Sequence, residues 1–169
     1  TYLTIDTRPI ANAGSIVVPD TGYFYMSNNA VITNGGTIDL QGDGGIYQSG
    51  AVGTTGITNN GTIKKSGGTG ISTFNMALIA QSGSQFLVQS GTMYFGAAAT
   101  SIGATFTVST GATLYFTTGD TRTFDAASTI NGAGTVQWGA GTNTVNGAYN
   151  VTGSTLASGG TTTLASVTS

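Results

Sequence analysis

Short segments with apolar residues at alternate positions recur along this chain, each opened by glycine. GTIDL (36–40), GTMYF (91–95) and GTVQW (134–138) read Gly, Thr, apolar, any, apolar, and GTIKK (61–65) follows the pattern until its last residue. Looser copies are GSIVV (14–18), GSQFL (83–87) and the longer GATLYF (111–116). Alternation with period two marks a strand with one buried face. The pairs Ile38 with Leu40, Met93 with Phe95, and Val136 with Trp138 are predicted to point inward. Threonine takes the outward places, where a β-branched side chain suits a pleated surface. Helical periodicity is nearly absent. Asn-Gly pairs at 34–35, 60–61, 131–132 and 146–147 mark corners, where glycine supplies a positive φ.

The spacing of the copies decides between architectures. Taking one copy per rung, Gly14, Gly36, Gly61, Gly83 and Gly103 are 22, 25, 22 and 20 residues apart. Phe86 and Val88 of QFLVQSG (85–91) fall on Phe106 and Val108 of TFTVSTG (105–111). A β-sandwich, the alternative, needs turns but no self-similarity. A solenoid demands it, because each coil stacks on its own image. The expected fold is therefore all-β: a parallel β-helix of about seven coils with 20–25 residues each, about 35 Å long.

Two copies resist. Lys65 stands where an apolar residue should point in, so the register slips there or the strand ends early. GATLYF leaves Leu114 with Phe116, or Thr113 with Tyr115, as the inward set. Residues 1–169 read as one domain. Residues 1–30 form an irregular cap or a first coil, with Pro19 blocking pairing, and 140–169 form looser terminal coils. Open sheet ends invite further strands. The expectation is a segment of a longer solenoid, or a subunit that associates end to end.

Composition narrows the function. Charged residues are only 6% of the 169, and the net charge is −2. Arg8, Lys64, Lys65 and Arg122 form no basic stripe, which argues against nucleic acid and against a polybasic membrane contact. No apolar run is long enough for a helix to cross a bilayer. The surface must be polar and uncharged, which suggests an exported protein. Cysteine and histidine are absent, so disulfides, Ser-His-Asp and Cys-His sites, and zinc held by those residues are excluded.

GAGTVQWGAGTNTVNGAYNVTGSTL (132–156) resembles the repeat of autotransporter passenger domains through Gly141, Asn143, Thr144, Gly147, Val151, Gly153, Thr155 and Leu156. Val145 replaces the usual Tyr, and Ser154 interrupts the closing Gly-Thr-Leu. NNGTIKKSGGTG (59–70) is similar to stretches of large bacterial adhesins. The resemblance covers about a quarter of the chain. It implies a right-handed β-helix on a bacterial surface, acting as stalk, adhesin or display rod, and it implies no catalytic residue.

The remaining candidates for chemistry are few. The acids are six aspartates: Asp6, Asp20, Asp39, Asp43, Asp120 and Asp125. A glycosidase or lyase would need two of them across a cleft. Arg122, between Asp120 and Asp125, reads as a turn-stabilising ion pair. Asp39 and Asp43 in GGTIDLQGDGG (35–45) are weak calcium candidates. No other cofactor is expected. Thr-x-Thr occurs at 105–107, 121–123, 142–144 and 161–163. A regular threonine array binds ice, but these copies are expected at unrelated strand positions. Tyr94, between inward Met93 and Phe95, and Tyr115 are the candidate ligand contacts, since exposed aromatics stack on sugar faces. The expected function is a non-enzymatic extracellular rod at the bacterial cell surface, serving as stalk, fibre subunit or adhesin segment. The alternative is a glycan-binding module of an adhesin or phage tail fibre, with an ice-binding or polysaccharide-degrading β-helix behind it. Expected partners are neighbouring coils, further copies, or cell-surface glycans.

Overall fold

The alternating segments do form strands. In a computed structural model that describes residues 2–50 and 55–168, they make 22 strands and no helix. The strands fall into eight coils. The first holds β1 (Tyr2–Asp6), β2 (Pro9–Asn12) and β3 (Ser15–Val18), and the second β4 (Tyr23–Ser27), β5 (Val31–Asn34) and β6 (Thr37–Leu40). The third holds β7 (Gly45–Gln48), β8 (Gly56–Asn59) and β9 (Thr62–Lys65), and the fourth β10 (Ile71–Asn75), β11 (Ala77–Ala80) and β12 (Gln85–Val88). Next come β13 (Thr92–Phe95), β14 (Ala99–Ser101) and β15 (Thr105–Val108), then β16 (Thr113–Phe116), β17 (Thr121–Phe124) and β18 (Thr129–Gly132). The seventh coil has β19 (Thr135–Trp138) and the long β20 (Thr142–Val151); the eighth has β21 (Ser154–Ala157) and β22 (Thr161–Val167).

The first strands of the coils stack into one eight-stranded sheet, β1-β4-β7-β10-β13-β16-β19-β21. The second and third strands form two further rows. β20 runs through the corner between them and joins both rows into one sheet of 14 strands. Every pairing is parallel, which excludes the sandwich, whose sheets are antiparallel. The protein is a β-solenoid with three faces. It has eight coils, close to the expected count of about seven, and residues 2–18 form the first of them, one of the two readings the sequence left open.

The core is a set of side-chain ladders. Phe24, Ile46, Phe74, Phe95, Phe116 and Trp138 occupy one inward column of the first face. Phe116 and Trp138 stack with centroids 4.7 Å apart, and Phe86 and Phe106 with centroids 4.4 Å apart. Asn12, Asn34 and Asn59 form a polar ladder on the second face. Asn12 Nδ2 donates to Asn34 Oδ1 at 2.6 Å, and Asn34 Nδ2 donates to Asn59 Oδ1 at 2.7 Å. Their amides also reach backbone carbonyls, which keeps these buried groups satisfied.

The five-letter pattern does not mark one rung. GTIDL and GTIKK lie on the third face, whereas GTMYF and GTVQW lie on the first. The pattern marks a strand entered from a tight corner, and the solenoid has more than one such corner per coil. Most of the corner glycines serve close approach. Of the four Asn-Gly glycines, Gly132 alone has a positive φ, at 121°. A β-carbon on Gly36 would lie 2.1 Å from Gly14 O, and one on Gly61 would lie 2.2 Å from Gly36 O. Each coil rests there on the backbone of the coil before it.

The two resistant copies resolve cleanly. Leu114 and Phe116 point inward, with Thr113 and Tyr115 outward. Lys65 keeps the register, paired with Leu40 and Val88, and is fully buried. Its Nζ donates to Gly42 O at 2.6 Å, Gly67 O at 2.9 Å and Ser72 Oγ at 2.9 Å, and meets Asp43 Oδ1 at 3.1 Å. Neither a slip nor an early end occurs: the stem is buried and the ammonium ties the corner after the third coil to the one stacked beneath it.

Candidate functional site

Alternation sends every second side chain of a strand to the surface, and stacking turns these into columns one rung apart, about 4.8 Å. The first face collects the tyrosines. Tyr2, Tyr23, Tyr25, Tyr47, Tyr94 and Tyr115, six of the seven in the chain, point out from it. Tyr2 pairs in register with Tyr23, Tyr25 with Tyr47, and Tyr94 with Tyr115. Tyr94 and Tyr115 are thus brought together as neighbours, with centroids 5.2 Å apart and rings at 89°.

The denser cluster lies nearer the N-terminus. Tyr23, Tyr25 and Tyr47 have centroids 5.7–6.4 Å apart and planes 26–49° apart, and Tyr2 closes their edge at 74° to Tyr25. With residues 1–30 open as a cap or a first coil, the alignment of these rings on one face was not fixed by the sequence. The alternation of YFYMS (23–27) is the signal that could have found it.

Glycines make room for the rings. A β-carbon on Gly139 would come within 2.5 Å of Tyr115 Cε2 and 2.7 Å of its hydroxyl. One on Gly45 would meet Tyr47 Cε2 at 2.7 Å, and one on Gly96 would meet Tyr94 Cε1 at 3.3 Å. The tyrosine rings therefore extend over bare backbone. Thr73, Asn75, Thr92, Thr113, Thr135 and Gln137 supply hydroxyls and amides between them. The one charged outward residue of these strands is Asp6, and its carboxylate accepts from Ser27 Oγ and Asn28 Nδ2.

The second face is flat and uncharged. Its outward column Thr33, Thr58, Ile79, Thr100, Thr123, Thr144, Thr163 holds six threonines in seven rungs. Beside it Thr121, Thr142 and Thr161 stack in register. Three of the four Thr-x-Thr copies therefore share one strand position, contrary to expectation. Coil lengths that vary by several residues concealed the alignment. Only 105–107 stands apart, on the third face. Gly56, Ala77 and Ala98 leave a shallow trough of about 280 Å³ beside Thr58, Ile79 and Thr100.

The aspartates are dispersed. Asp39 faces out on the third face opposite Lys64, at 3.2 Å. Burial acts to raise its carboxyl, but hydrogen bonds from Ser66, Gln41 and Lys64 outweigh that and hold it below the ordinary value. Asp43 is engaged by Lys65 and by the Gly70 amide. The two weak calcium candidates are thus each taken by a lysine, and no cluster of three or more candidate ligands occurs among the described residues. Asp125 accepts from Ser128 Oγ at 2.6 Å and from the Gly103 and Ala127 amides, which hold its carboxyl low. Arg122 does not make the expected turn ion pair. It is buried beneath Ala99, whose small side chain leaves it room, and its Nη2 donates to the Phe95 and Thr117 carbonyls and to Thr118 Oγ1. Burial pulls its guanidinium below the usual value, with Asp120 and Tyr94 opposing.

Comparison with family models, with curated proteins and with solved structures finds no match to this chain.

Proposed function

We propose that the chain is a non-enzymatic rod of a bacterial cell surface, serving as a stalk, a fibre subunit or an adhesin segment. The observation that carries this reading is the parallel stacking of all eight coils, with a register shift between Val145 and Ala148 where β20 meets β22. A continuous ladder of backbone hydrogen bonds around a continuous apolar core resists bending and unzipping. The motif of residues 132–156 supports the surface placement, and the uncharged coat suits an exposed location. Low charge leaves little repulsion between copies, so association along the axis or the faces belongs to the reading. Negative-stain microscopy with light scattering across concentration tests it. Filaments that lengthen with concentration identify a fibre subunit, and a monodisperse species identifies a stalk segment. Cleavage of a polysaccharide that disappears when the six aspartates are replaced by alanine would sink the reading.

The stacked threonines favour a second reading, in which the second face binds ice. Paired hydroxyl and methyl columns at a fixed spacing offer a flat, regular surface to ordered water. Thermal hysteresis and inhibition of ice recrystallisation measure it directly. T123K and T144K placed together should abolish both effects with the melting temperature of the protein unchanged. A parent protein inactive in both assays eliminates ice binding.

A further inference from the structure

We infer that the first face is a binding platform for a neutral glycan chain laid along the solenoid axis. The inference rests on the rod reading and names the ligand class of its adhesive face. Three observations converge. First, six tyrosines project from one face, although nothing in the core requires their rings there. Second, Gly45, Gly96 and Gly139 leave the space these rings occupy, so ring placement is built into the backbone rather than left to surface rotamers. The Tyr23, Tyr25 and Tyr47 rings, with planes 26–49° apart, form a shared aromatic surface on which the C–H face of a pyranose stacks, and Tyr94 and Tyr115, at 89° to each other, offer a face beside an edge. Third, the chemistry between the rings is that of sugar recognition. Hydroxyls and amides from Thr73, Asn75 and Gln137 line the same columns, and Asp6 is the single charged outward residue.

Geometry selects an extended chain over a single sugar. Neighbouring rungs present rings 5.7 Å apart at Tyr25 and Tyr47 and 5.2 Å apart at Tyr94 and Tyr115. Successive sugars of an extended chain repeat at a comparable distance. Two ring groups separated by the fourth coil give such a chain two anchoring points, with Thr73 and Asn75 between them. The absence of basic residues on this face disfavours an anionic polysaccharide.

Affinity electrophoresis of the full chain in native gels containing hydroxyethyl cellulose, dextran or xyloglucan tests the inference, with alginate as the anionic comparison. At least one neutral polymer should retard the protein. Replacing Tyr25 and Tyr47 together by alanine should weaken that retardation by roughly three- to tenfold per ring. Gly139→Ala keeps every ring and meets only the flexible Tyr115 side chain, yet should weaken retardation by displacing that ring. Thr107→Ala on the third face should leave it unchanged. Melting temperatures confirm that each variant is folded. No retardation by any neutral polymer, retardation by alginate alone, or equal retardation of all variants would overturn the inference. A dimer that the tyrosine substitutions dissociate, with no polymer bound, would replace the glycan by a second copy. In each of these outcomes a regular rod in the microscope leaves the rod reading standing.

Discussion

Buried charge shows how single residues are handled in this core. Lys65 and Arg122 occupy inward positions; the Lys65 ammonium donates to carbonyls and a hydroxyl at a corner, and Arg122 donates through Nη1 and Nη2 while its Nε is buried without a partner. Surface charge is spent sparingly, as in the pair of Asp39 with Lys64. Because the folded-state carboxyl of Asp39 lies below its ordinary value, the unfolded chain takes up the proton first as pH falls. The stability it contributes is therefore complete above about pH 4, and is lost as pH drops through the lowered folded-state value. Thermal melts of the protein and of Asp39→Asn from about pH 6 to about pH 2 should show a gap that closes at the acid end. A gap of constant size would remove Asp39 from the acid response.

At the scale of the element, the Gly-Thr strand opening looks uniform in sequence and is not uniform in the fold. Gly14 and Gly36 hold the same motif position on successive strands of the third face. A β-carbon at Gly14 meets nothing within 4 Å, whereas one at Gly36 meets Gly14 O at 2.1 Å and the Ala13 carbonyl carbon at 2.8 Å. Gly36→Ala should therefore cost about 1–3 kcal/mol or more, since a backbone obstacle cannot turn aside. Gly14→Ala should stay within about 0.5 kcal/mol. Urea denaturation of the two variants gives the comparison, and equal midpoints would mean that vertical stacking does not explain the motif. The alternation itself was legible throughout: Met93, Phe95, Val136 and Trp138 are all buried as their spacing requires. Lys65 was misjudged because period-two patterning scores the charged end of a side chain and not its apolar stem.

For the whole molecule, the faces matter more than any one coil. Three rows of strands share a core yet carry different coats: tyrosine on the first, threonine on the second, and the Asp39–Lys64 pair on the third. Apolar side chains stay accessible in the first and last of these coils. Tyr2, Leu3, Ile10, Ile16 and Val17 border a hollow of about 430 Å³ at the first coil, and Leu156 and Val167 are exposed at the last. The sequence by itself determined the all-β class, the stacked-coil architecture, the inward pairs and the lack of cysteine and histidine chemistry. These follow from the period of the backbone and from composition, which act within a few residues. Only the tertiary structure decided which strand lies on which face, and hence which tyrosines and threonines align. Strands that stack on one another lie 19 residues apart from Thr129 to Ala148 but 28 apart from Ile46 to Phe74. Corners of unequal length decouple position in the chain from position on a face, and it is contact between coils, not local pattern, that fixes the register.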